Sequence, residues 1–131
     1  MHLKTLGLSE HNESNWEVAL HDEFDPEFWQ LPRHARVEIT GLMVNLREKG
    51  PLLGRPQVDT LNGSCYANMK ELRFKADGGV WRVAFAFDPA RKAVLLVAGD
   101  KAGVGQRQFY RNLIRIADAR FKRYLLAFRA K

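Results

Sequence analysis

Between Trp16 and His21 the chain alternates, with Trp16, Val18 and Leu20 separated by polar or small residues. A period of two is that of a short strand with one buried face. In "DEFDPEFWQLP" Asp25 can cap a helix and Pro26 can occupy its first turn, where the missing N–H costs nothing. Pro32 then interrupts or restarts that helix. From Arg33 to Lys49 the apolar positions Ala35, Ile39, Leu42, Met43 and Leu46 recur at helical spacing, and Gly50-Pro51 supplies the stop. "GPLLGRPQVDTLNGSCY", rich in proline, glycine and turn formers, reads as an ordered surface connection. Three strand-like runs follow, "MKELRF", "VWRVAFAF" and "AVLLVAG", divided by "KADGG" and "DPARK", each short enough for a hairpin turn. Beyond Gly105, Phe109, Leu113, Ile116, Ala117, Phe121, Tyr124 and Phe128 lie three and four residues apart with arginines opposite, which predicts a long amphipathic helix. The order predicts an α+β domain with one antiparallel sheet and helices packed on one of its faces.

Alternation also sorts the side chains of the sheet. Met69, Glu71, Arg73 and Lys75 share one face of their strand, and Lys70, Leu72 and Phe74 the other. In the next strand Trp81, Val83, Phe85 and Phe87 belong together, opposite Val80, Arg82, Ala84 and Ala86. If the large apolar residues share the helix-covered core, Glu71, Arg73 and Arg82 fall on an open face, where Ala84 and Ala86 leave room for a ligand. Like charges directly opposed across a sheet repel unless something negative lies between them. Glu71 can serve in an ion network, or the two arginines can hold a phosphate, which their planar forks suit.

The chain has 131 residues, of which 46% are hydrophobic, enough for one core without disulfides or metal. No apolar run is long enough to span a bilayer and the start lacks a signal-peptide layout, so a soluble, cytoplasmic protein is expected. Cys65 is the only cysteine, which excludes an intrachain disulfide and a cysteine-based zinc site. Charge is distributed unevenly. Residues 1–50 carry five basic against nine acidic side chains, net −4, whereas residues 101–131 carry nine basic residues against Asp118 alone, net +8. Such a basic end suits a polyanionic partner, or equally a solvated helix face.

The segments "ELRF", "WRVAF" and "GDKAG", in that order and followed by the "FY...AD..F" helix, resemble the RelE/ParE superfamily of toxins from bacterial toxin–antitoxin modules. The likeness is to its phage-derived, HigB-like branch, and it covers about Trp16 to Phe128. It implies a RelE-like fold in a single domain over residues 1–131, with residues 1–14 a flexible lead-in. It also implies a toxin that cuts messenger RNA in the ribosomal decoding site and is neutralised by a HigA-like helix-turn-helix antitoxin in a hetero-oligomer. Carried over by position, Arg73 and Arg82 fall at the family's active groove and Lys101 of "GDKAG" matches a lysine of this branch. Glu71 matches the glutamate of "ELR", where structural and catalytic roles both stay open.

The chain departs from some ribosome-dependent members in having no histidine after His34, so a catalytic histidine on the sheet is excluded. Tyr110, in the apolar stripe of the last helix, is assigned to the core, as are Trp16 and Trp81 by alternation. Metal-independent RNA cleavage needs a base, a cationic clamp and an acid. Arg73 and Arg82 supply the clamp, and Glu71, Lys101 or Lys75 the base, since neighbouring cations favour a neutral lysine. No cofactor and no metal-ligand spacing is read. Lys75, Arg107, Arg111 and Arg115 are candidate RNA-backbone contacts. Two other readings stand beside this one: a ParE-like inhibitor of gyrase that cuts nothing, and a non-enzymatic RNA-binding phage accessory protein.

Overall fold

The computed structural model describes residues 15–130, so the expected lead-in over residues 1–14 lies outside the described residues. Its elements are β1 (Glu17–Leu20), α1 (Phe24–Gln30), α2 (Arg33–Lys49), β2 (Val58–Thr60), β3 (Lys70–Ala76), β4 (Gly79–Phe87), β5 (Lys92–Asp100) and α3 (Gln106–Arg129). One five-stranded sheet has the order β1-β5-β4-β3-β2. The β3–β4–β5 meander is antiparallel as expected, and Arg73 stands directly opposite Arg82 in its register.

Several expectations need correction. The sheet is mixed, because β1 returns beside β5 in parallel through the α1–α2 crossover and the strands that follow. The connection read as loop contains β2, three residues that pair antiparallel with β3. A run as short as Val-Asp-Thr has no detectable period. Asp25 does not cap α1: the helix starts at Phe24, and Asp25 lies inside it, accepting a hydrogen bond from Trp29 Nε1 at 3.1 Å. Pro26 does occupy the first turn, and α2 runs between Arg33 and Lys49 with Gly50 at its end in a left-handed conformation (φ 53°). A side chain at Gly50 would strike the Trp16 indole, so only glycine fits.

The largest difference concerns the faces of the sheet. Helices cover both. Phe24, Phe28, Ile39, Leu42 and Leu46 of α1 and α2 pack on Val58, Leu72, Val83, Phe85, Ala93 and Leu95. On the other side Phe109, Leu113, Ala117 and Phe121 of α3 pack on Met69, Ala84, Ala86, Val94 and Leu96. Ala84 and Ala86 therefore make room for a helix and not for a ligand; both are 0% exposed. A bulge between Ala84 and Phe85 leaves Leu96 without a direct partner, and the consecutive residues Leu96 and Val97 both join the core under α3 while Leu95 packs in the opposite layer. Gly99 lets the Phe109 ring approach where a Cβ would lie 2.9 Å from it.

The two helical layers are tied together by a side chain that the basic run concealed. Arg120 is buried, donates Nη1 to the Leu96 carbonyl at 2.8 Å, and holds the Glu27 carboxylate with both terminal nitrogens. Among the described residues no helix is long and apolar enough to cross a membrane. Enlarging Ala84 tests the two-sided packing. Ala84→Leu should overpack the α3 layer and cost about 1–3 kcal/mol, seen as a lower urea midpoint. An open face would tolerate the same change with no loss.

Candidate functional site

On the α3 face the sheet is apolar at one end and charged at the other. Met69, Ala84 and Ala86 lie under the body of α3, while Asp59, Glu71, Arg73 and Arg82 lie near its first turns. The β2–β3 register sets Asp59 beside Glu71, and the β3–β4 register sets Arg73 beside Arg82, so two acids and two arginines form one patch. Lys101 joins it from the turn after β5. There Asp100 Oδ1 accepts the N–H groups of Val80 and Ala102, each at 2.9 Å, and Lys101 N–H donates to the Val80 carbonyl at 2.8 Å. The "GDKAG" segment is thereby fixed to the start of β4.

At the centre lies Glu71, only 5% exposed. Its Oε1 accepts the Tyr110 hydroxyl at 2.8 Å and lies 3.6 Å from Arg82 Nε, and its Oε2 lies 3.8 Å from Arg73 Nη1. Arg82, also 5% exposed, donates Nε to the Tyr110 oxygen at 3.1 Å and Nη1 to the Trp81 carbonyl at 2.9 Å. Tyr110 thus joins acid to base. Its place in the apolar stripe of α3 predicts core packing alone; the signal in the sequence that points further is that a phenol needs a partner at its tip when its ring is buried. Arg73 reaches outward, with a third of its side chain exposed and Nη1 3.2 Å from Asp59 Oδ2. Asp59 is held below its ordinary value by the Thr60 N–H, and by Arg55 and Arg73.

For Glu71, Tyr110 and Lys101 burial is the largest influence. It raises the Glu71 carboxyl above 4.5, and Tyr110, Arg82 and Arg73 oppose it only in part. It raises the Tyr110 hydroxyl as well. It lowers the Lys101 amine, and the charges of Arg82 and Arg73 lower it further. Lys101 Nζ stands 5.7 Å from the centre of the Tyr110 ring. Beside these groups opens a cavity of about 460 Å³ lined by Asp59, Thr60, Leu61, Asn62, Glu71, Gln106, Arg107 and Tyr110.

The structure therefore brings Glu71, Arg73, Arg82 and Lys101 together and sets Arg107 in the cavity wall. The others spread away. Lys75 is exposed two residues beyond Arg73 on β3, and Arg111 and Arg115 are exposed on successive turns of α3. His34 is on the surface, where its Nδ1 lies 2.7 Å from Asp77 Oδ1. Among the described residues no cluster of three or more His, Cys, Asp or Glu is placed to hold a metal ion.

Comparison with known proteins places the chain in a family and agrees with its fold. The family model for the phage-derived Gp49-like proteins (DUF891) matches residues 26–122. A protein assigned as toxin HigB3 of Mycobacterium tuberculosis is 47% identical over 108 residues, covering 82% of this chain and 92% of that one. Another, assigned as toxin HigB2 of the same organism, is 50% identical over 84 residues, 63% of this chain and 41% of that one. Among solved structures, a mutant of the Escherichia coli toxin RelE in the free state superposes with a TM-score of 0.55 at 10% identity, covering 76% of this chain and 94% of that chain. At that identity the likeness is one of fold.

Two substitutions separate the roles in the buried cluster. Tyr110→Phe leaves Arg82 Nε and Glu71 Oε1 each short of a partner and should cost about 1–3 kcal/mol of stability. Glu71 behaves oppositely with pH. Because its folded-state value exceeds the unfolded one, its contribution to stability is greatest in acid and is lost as pH rises through that interval. Urea titrations of Glu71→Gln against the parent protein should show the variant gaining relative stability from about pH 4 to about pH 7. A relative loss over that range would mean that the arginines, and not burial, govern the carboxyl.

Proposed function

Because this chain belongs to the phage-derived Gp49-like family, in the HigB-like branch of the RelE/ParE superfamily, we propose that it is a toxin of a type II toxin–antitoxin module. Its activity is ribosome-dependent cleavage of messenger RNA, and a HigA-like helix-turn-helix antitoxin neutralises it in a hetero-oligomer in the cytoplasm. The observation that carries this reading is the convergence of Arg73, Arg82 and Lys101 around one buried carboxylate, beside an open cavity whose far wall bears Arg107. Arg73, Arg82 and Lys101 stand against two carboxylates, Glu71 buried and Asp59 shared with Arg55, so the exposed guanidinium of Arg73 is left able to take a phosphate.

The chemistry follows from what each group can reach. Attack of a ribose 2′-oxygen on the adjacent phosphorus breaks the bond to the 5′-oxygen, which takes up a proton from water or from the ammonium formed at the base, leaving a 2′,3′-cyclic phosphate and a 5′-hydroxyl. Negative charge builds on the non-bridging oxygens during that step, and Arg73, the more exposed guanidinium, is placed to meet it. Glu71 has both oxygens engaged within the protein, so it serves as the anchor that positions the two arginines. Arg82, held by Tyr110 and the Trp81 carbonyl, adds field more than contact. Lys101 is then the base, since an amine whose proton is loosened by burial and two arginines can take the proton from the 2′-hydroxyl. Such a sparse set of acid and base groups suits an enzyme whose substrate is bent into shape by the ribosome. Arg111 and Arg115 add sequence-independent contacts to RNA backbone.

Brief induction in bacteria, with 5′ ends mapped across translated messages, tests the reading. New 5′-hydroxyl ends that require translation are expected, and Arg73→Ala should reduce them by on the order of 10²-fold or more. Growth arrest with intact transcripts and damaged DNA would instead identify a gyrase inhibitor. Cleavage by ribosome-bound protein should also rise with pH up to the lowered value of Lys101, because only the neutral amine accepts a proton. Lys101→Arg should be inactive throughout, an arginine being cationic at every accessible pH.

A further inference from the structure

A second cationic cavity lies at the opposite end of the sheet. It has a volume of about 490 Å³ and is walled by Trp16, Tyr66, Phe87, Phe121 and the guanidinium-bearing Arg91 and Arg129. Arg82 and Phe87 are five residues apart on β4, so roughly 17 Å of strand separates it from the charged cluster. The proposed reaction uses none of these residues.

Arg91 is the informative member. Its backbone is left-handed (φ 68°), a conformation that an arginine adopts only at a cost and that glycine or asparagine usually fills in such a hairpin turn. The turn itself is held by Asp88, whose Oδ1 accepts the N–H groups of Ala90 and Lys92. The strained residue is exposed and carries its guanidinium 4.0 Å above the Trp16 ring. Among the described residues neither Arg91 nor Arg129 has a carboxylate within ion-pair distance, and the Asp88 carboxylate in the wall is engaged by Tyr124 and the turn. Two guanidiniums without a carboxylate partner, one of them stacked on Trp16, set among aromatic walls fit a nucleobase with its phosphates.

The two cavities are joined along α3. Arg107 lines one and Arg129 the other, and between them Arg111, Arg115 and Lys122 lie on the same exposed side of the helix, over about 33 Å. Asp118, on that side as well, is occupied by the Ser64 hydroxyl at 2.6 Å and the Cys65 N–H at 3.0 Å. We propose that single-stranded RNA entering the charged cavity continues along this basic side of α3, and that a base several nucleotides away enters the Trp16–Tyr66–Arg91–Arg129 cavity. The proposal rests on the RNA-cleaving reading of the charged cluster.

Fluorescence anisotropy of the full-length protein tests it, with 2′-O-methyl RNA as a probe that lacks the attacking hydroxyl. Oligonucleotides of about four and about twelve nucleotides bracket one cavity and the whole track. The long probe should bind roughly five- to tenfold tighter, and abasic units in its distal third should remove that gain. Arg91→Gly, which relieves the strain and keeps the left-handed turn, should lower affinity for the long probe alone and reduce its salt slope by about one, with an unfolding midpoint no lower than that of the parent. If the short probe binds and the gain from length survives both the abasic units and Arg91→Gly, the second cavity takes no base and the proposal falls by itself. If neither probe binds, the track along α3 and its distal cavity fall, while the cleavage reading of the first cavity is decided separately by the 5′-end mapping.

Discussion

A carboxylate kept from water must be answered by something. In this protein Glu71 is answered by a tyrosine hydroxyl and two arginines drawn from three different elements. Removing it would leave two guanidiniums opposed across β3 and β4 with only Asp59 nearby, an arrangement the sheet register alone would make repulsive. The same carboxylate fixes the start of α3, because Tyr110 can meet Glu71 and Arg82 only when the first turns of the helix lie over the charged end of the sheet. The cavity wall, the aromatic surface under Lys101 and the orientation of Arg73 all follow from that seat.

The rest of α3 is placed by shape and by a second buried charge. Alanines at 84 and 86 let the helix sink onto β4, and glycine at 99 admits the Phe109 ring. Further along, Arg120 passes beside β5 to reach Glu27 of α1, and Arg123 holds Glu23 with Nη2 at 2.5 Å. These contacts connect layers on opposite faces of one sheet. Among the described residues every buried side-chain nitrogen and oxygen has a partner, so the polar atoms brought inside are satisfied and not merely tolerated.

Much of this was readable in the residues, and the misses have physical causes. The bounds of α2 and the hairpin register follow from strong signals: a full apolar stripe between Pro32 and Gly50, and a turn short enough to set Arg73 against Arg82. The side of the sheet on which α3 lies did not, since Ala84 and Ala86 look the same whether they clear space for solvent, a ligand or a helix. β1 is recognisable as a strand by its alternation, yet its parallel pairing depends on a partner more than seventy residues away. The family likeness named Arg73, Arg82, Lys101 and Glu71, but burial separates them into a half-buried arginine and lysine and a hidden pair. Tyr110 and Arg120 escaped for a common reason. Each is an amphipathic side chain whose ring or stem follows the apolar stripe while its polar tip goes elsewhere.

The net charge of the C-terminal segment changes meaning once it is folded. Arg120 and Arg123 are matched by Glu27 and Glu23, so part of the positive end and part of the negative beginning of the chain cancel inside the structure. Arg107, Arg111 and Arg115 have no such partners among the described residues. They occupy the side of α3 away from α1, beside the segment from Leu61 to Tyr66. One helix thus divides its basic residues by direction: those turned toward α1 are paired with Glu23 and Glu27, and those turned away have their charge uncancelled among the described residues. The acids of the first fifty residues act selectively, and what they leave uncovered is continuous with the cluster around Glu71.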